Sequence, residues 1–80
     1  SGLIVPIGTW VLREACRASV RLRKALAGHG PLYVSINVAA QQFQQPGFVA
    51  QVRDILLETG AEPALIRLEL TETSALANPE

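Results

Sequence analysis

Two short runs of strict alternation, residues 32–38 and 65–71, constrain this chain more than any other feature. In the first, Leu32, Val34, Ile36 and Val38 fall on one face and Tyr33, Ser35 and Asn37 on the other. In the second, Ile66, Leu68 and Leu70 share one face while Arg67, Glu69 and Thr71 share the other. Period two over this length predicts strands. Residues 46–59 lie between them with helical spacing, starting at Pro46 and closing on Gly60, with Val49, Val52 and Leu56 expected on the inner side. A strand–helix–strand crossover makes its two strands parallel, and right-handed in nearly all cases.

A longer helix is predicted upstream, over about residues 6–27. Pro6 suits a first-turn position, where its missing N–H costs nothing. Ile7, Val11, Ala15, Ala18, Leu22 and Leu26 recur in steps of three or four and predict one buried stripe. Arg13, Arg17, Arg21 and Lys24 fall largely off that stripe and are expected to face solvent. Gly28 and Gly30, around His29, end the helix. Ala39 to Gln45 reads as a polar connection containing Phe43. The tail from Glu72 begins a helical pattern around Ala75 and stops at Asn78-Pro79. The order is therefore α-β-α-β. Two parallel strands and two helices leave both sheet edges with unpaired backbone groups, so this unit needs neighbours. The remainder of a larger sheet or a second chain would supply them; alone, the segment is expected to be a homo-oligomer or partly disordered.

Composition narrows the function. Eighty residues carry one cysteine, so no internal disulfide forms, and no Cys/His cluster suggests zinc. Seven basic residues balance seven acidic ones, which leaves no basic stripe for DNA or RNA and no polybasic tail for a membrane surface. The apolar share is 49%, yet no run approaches the roughly 18 residues of a membrane span. The first residues lack a signal-peptide pattern. A cytoplasmic location is expected, with any membrane anchor supplied by other domains.

Asn37 and Glu69 occupy equivalent places near the carboxyl ends of their strands, on the more polar face. Adjacent strands lie about 4.8 Å apart, so the two side chains can converge on one ion. In barrels and open α/β sheets, ligands bind at the carboxyl ends of the strands. An amide oxygen with a carboxylate oxygen is a hard pair suited to Mg²⁺, Mn²⁺ or Ca²⁺. Polar strand-end residues also serve to satisfy loop backbone or solvate a barrel interior, and on the residues alone that role is the commoner one. Glu72, three residues after Glu69, either holds a neighbouring loop or caps the following turn. Thr71 fits a cap. Cys16 reads as a packed core thiol, Trp10 as packing, and His29 as a structural residue favoured by a helix C-terminus. Gly28-His29-Gly30 precedes a strand, whereas phosphate-cradling glycine loops follow one.

The wording around these residues adds a resemblance. Gly2-Leu3-Ile4, Ile7-Gly8-Thr9-Trp10-Val11-Leu12 and Ala15-Cys16 are followed in order by Val34-Ser35-Ile36-Asn37-Val38, Gln42-Phe43 and Leu68-Glu69-Leu70-Thr71-Glu72. Together they resemble the EAL-type cyclic di-GMP phosphodiesterase domain of bacteria over essentially the whole chain. The resemblance implies an α-β-α-β fragment of a (β/α)₈ TIM-like barrel. It implies hydrolysis of cyclic di-GMP to linear pGpG with Mg²⁺ or Mn²⁺ in second-messenger signalling. It also implies that Asn37 and Glu69 are metal ligands and that Glu72 supports a loop near the site. The Glu-Ala-Leu signature and the Asp-Asp-Phe-Gly motif of the family fall outside these residues. Ala39 stands where many members have serine, and the tryptophan usual late in the first helix is absent from Leu22 to Leu26. A degenerate member that binds the nucleotide as a receptor, or an inactive structural fragment, are the alternatives.

Overall fold

The computed structural model describes residues 3–70. The elements run α1 (Ile4–Ala25), β1 (Val34–Val38), α2 (Ala40–Phe43), α3 (Phe48–Thr59), a 3₁₀ turn (Pro63–Leu65) and β2 (Ile66–Leu70). β1 and β2 pair in parallel, with Val34 opposite Ile66, Ile36 opposite Leu68 and Asn37 opposite Glu69. Both long helices lie on the apolar face of this ribbon. Leu12 and Cys16 of α1, Ile36 of β1, Ile55 of α3 and Ala61 form the core, with Val34, Val52, Leu56 and Ile66 packed around it.

Local chemistry explains the boundaries. α1 begins at Ile4, so Pro6 still lies in the first turn, where an N–H has no partner within the helix. α3 ends where Gly60 takes φ 77°, a left-handed conformation that glycine adopts without penalty. The Gly60 N–H donates to the Leu56 carbonyl, and the Thr59 hydroxyl donates to the Ile55 carbonyl at 2.8 Å. Pro63 opens the 3₁₀ turn that leads into β2.

The helix faces differ from the expected ones. On α1 the buried residues are Leu12, Cys16 and Ser19, whereas Ile7, Val11, Leu22 and Leu26 of the expected stripe are exposed. On α3, Val52 and Leu56 pack against the core as expected, but the fully buried residues are Phe48 and Ile55, and Val49 is 77% exposed. Length is the cause for α1. Its 22 residues extend for roughly 33 Å, against roughly 17 Å for a strand of five, so the ribbon covers only part of the helix. Apolar residues recur on more than one face, and only the sector directly over β1 is covered. Trp10, expected to pack, is 62% exposed.

The connection after β1 is also more ordered than its polar sequence suggests. Ala39 is extended, and its carbonyl accepts from the N–H groups of Gln42 and Phe43, winding one helical turn as α2. The Phe43 ring then meets Phe48 edge-on, with centroids 5.7 Å apart, which ties α2 to the start of α3. Ion pairs staple the helices at the surface. Arg13 Nε lies 2.7 Å from Glu58 on α3, and Arg23 lies 3.3 Å from Glu62 in the following loop. Such exposed pairs contribute about 0–1 kcal/mol each, so packing dominates. No helix among the described residues is long and apolar enough to cross a membrane.

Candidate metal centre

The face of the ribbon opposite the helices carries Tyr33, just before β1, Ser35 and Asn37 of β1, and Arg67 and Glu69 of β2, all exposed. Alternation puts them there, because Val34, Ile36 and Ile66 on the other face are drawn into the core with the helices. Arg67 folds back along this face, its guanidinium carbon 4.4 Å from the centroid of the Tyr33 ring. That stack parks its positive charge near the amino ends of the strands. Asn37 and Glu69 stand at the other end, side by side in register. Each is the penultimate residue of its strand.

The two side chains are available. Among the described residues, neither takes part in a side-chain hydrogen bond or ion pair. A carboxylate and an amide oxygen on neighbouring strands match the chemistry of a hard divalent cation. They match its ligand number only in part. Mg²⁺ takes six oxygens, and no group of three His, Cys, Asp or Glu residues that could hold a metal occurs among the described residues. Glu72 and Thr71 lie outside the described residues. The two residues could supply part of such a ligand set.

The remaining sequence candidates stay apart from this end. Cys16 is buried in the core beneath the ribbon, 1% exposed, and burial pushes its thiol pKa up from its ordinary value. A neutral, shielded thiol is a poor nucleophile. We expect iodoacetamide to leave Cys16 unmodified in the folded full-length protein at pH 7.5 and to label it once denaturant is added, as read by intact mass. The same shift fixes a sign for stability. The folded thiol holds its proton to higher pH than the unfolded one, so the contribution is complete below the unfolded pKa and is lost as pH rises through the folded one. His29 lies in an exposed turn beyond α1, where its N–H donates to the Leu26 carbonyl.

One residue near the site was not singled out for a role by sequence reasoning. Gln42, on α2, is 3% exposed and lies against Gly8 of α1, at a cleft of about 230 Å³ that Asn37, Val38 and Ala39 also line. The only sequence signal was its place in the Gln42-Phe43 pair.

Residues 1–80 match the EAL domain family along their whole length, and the chain belongs to that family. It is 42% identical, over 81 aligned positions and its entire length, to the bifunctional diguanylate cyclase/cyclic di-GMP phosphodiesterase MucR of Pseudomonas aeruginosa. It is 36% identical over 98% of its length to the cyclic di-GMP phosphodiesterase NbdA of the same organism. The signaling protein YkoW of Bacillus subtilis shares 33% identity over 98% of the chain. The chain spans 11%, 10% and 9% of these three proteins, respectively.

Proposed function

We propose that this segment is part of a (β/α)₈ barrel that hydrolyses cyclic di-GMP to linear pGpG with Mg²⁺ or Mn²⁺, and that Asn37 and Glu69 hold the metal. The observation that carries the reading is the register. Two hard-oxygen donors stand opposite each other at the carboxyl ends of parallel strands, on the face the helices leave bare. Membership of the EAL family and similarity to proteins named as cyclic di-GMP phosphodiesterases point to the same chemistry.

The uncovered surfaces support the barrel reading. α1 and α3 pack on the same face of the ribbon, as helices do all round a barrel, and the polar face would then look inward. The outer side of α3 remains apolar: Val49 and Leu57 are 77% and 76% exposed, beside a groove of about 450 Å³ lined by Phe48, Val52, Leu56 and Leu68. The rest of the barrel would cover this groove and both strand edges. In its absence a second copy of the chain is the partner expected, and the isolated segment would be inactive because part of the ligand set is missing.

The Asn37 amide oxygen and the Glu69 carboxylate would fix the position of the cation. A divalent ion held there supplies charge for the phosphoryl oxygens and acidifies an attacking water. Glu72 would hold the adjoining loop. The protein would act in the cytoplasm on a diffusible second messenger, in keeping with a segment that has no surplus positive charge for polymeric nucleic acid. The test is hydrolysis of cyclic di-GMP by the full-length protein with Mg²⁺ or Mn²⁺, with pGpG as the expected product and EDTA abolishing turnover. Tight nucleotide binding without turnover would favour the receptor reading instead.

A further inference from the structure

We infer that Gln42 is a positioning residue for Asn37 and that Gly8 is the notch that seats it; this rests on the reading of Asn37 as a metal ligand. Gln42 belongs to the single turn α2, and at 3% exposure its side chain is enclosed. The amide is pressed against the α1 backbone at Gly8. A Cβ at that position would run into Gln42 Oε1 and lie 2.6 Å from Cδ, closer than such atoms approach. The missing side chain at Gly8 therefore admits the amide.

The amide is not held there by a saturated set of hydrogen bonds. Among the described residues its Nε2 has no acceptor. A buried donor without a partner is costly, so the residue's place needs another explanation. Position supplies one. The Ala39 carbonyl accepts from the Gln42 and Phe43 N–H groups, so α2 is wound directly onto the end of β1. Asn37 is two residues before Ala39. Seating Gln42 against α1 thus pins α2, and through the Ala39 cap it pins the carboxyl end of β1. Gly8, Asn37, Ala39 and Gln42 line one cleft, so the contact sits at the carboxyl end of β1, where the backbone that carries Asn37 ends.

The notch and the amide act as a pair, which gives a test distinct from loss of fold. Mn²⁺ affinity of the metal-free, full-length protein is measured by electron paramagnetic resonance of free Mn²⁺, alongside the melting temperature. Gly8→Ala, which pushes the amide from its seat, and Gln42→Ala, which empties it, should each weaken Mn²⁺ binding about tenfold, the lower end of what supporting residues around a metal contribute. Gln42→Met, which keeps the length, should stay within about twofold of wild type. Gly8→Ala should add nothing further in the Gln42→Ala background. If both single variants lower the melting temperature but leave Mn²⁺ affinity unchanged while Asn37→Ala weakens it, Gln42 is merely structural and the inference is overturned. If Asn37→Ala also leaves affinity unchanged, the metal-ligand reading fails and this inference with it. Should Gln42→Ala not fold, the contrast between Gly8→Ala and Gln42→Met decides the matter in the same way.

Discussion

Glu69→Gln in the full-length protein is expected to lower cyclic di-GMP hydrolysis on the order of 10³-fold, and Asn37→Ala to lower it by roughly 10²-fold or more. Loss of residues that merely support a metal ligand typically costs about 10–100-fold, and a direct ligand stands closer to the reaction. Glu69 should matter more because it contributes a full negative charge, whereas Asn37 contributes only a dipole. Glutamine keeps the shape of Glu69, so the change isolates that charge. Stability should scarcely move, since glutamine keeps the shape of the side chain and Glu69 makes no ion pair among the described residues. Turnover at several Mn²⁺ concentrations, with melting curves in parallel, checks both halves. Unchanged turnover in both variants would remove the two residues from the metal.

Ile55→Ala is expected to cost about 2–5 kcal/mol and to lower the melting transition of this domain by roughly 5–20 °C. Ile55 is 1% exposed and joins Leu12, Cys16 and Ile36 under the ribbon, so its removal leaves a cavity that rigid neighbours cannot close. Leu57, on the opposite side of α3, separates the barrel reading from the bare segment. It is 76% exposed here, so Leu57→Ala should be nearly neutral in the isolated chain. In the full-length protein the covered groove should raise that cost to about 2 kcal/mol or more. A neutral Leu57→Ala in the full-length protein would show that nothing packs on this side.

These two expectations draw on parts of the molecule that were unequally legible in the sequence. The strands and their relative register could be read because period two is unambiguous and because Asn37 and Glu69 hold equivalent places in their runs. The phase of α1 could not. Its apolar residues recur on several faces, and which face is buried depends on how little of a 22-residue helix a five-residue strand can cover. α3 misled only in part: Val52 and Leu56 pack against the core as expected, whereas Val49 is apolar yet 77% exposed. α2 escaped because its one turn hangs on two hydrogen bonds to the Ala39 carbonyl, which no hydrophobic pattern records. The Gly8–Gln42 contact joins residues far apart in the chain through the absence of a side chain, which neither residue announces. The donor pair itself was visible as a hard-oxygen pair, but polar residues at strand ends are common, and the family context is what favours a metal over a structural role for these two. Glu72, carried by the same context, lies outside the described residues.

The most direct measurement is anomalous diffraction at the manganese edge from crystals of the full-length protein grown with Mn²⁺. A peak within about 2.0–2.6 Å of both the Asn37 amide oxygen and a Glu69 carboxylate oxygen is predicted. A fully occupied manganese elsewhere in the domain, with both side chains more than about 4 Å from it, would contradict the assignment of this strand-end pair.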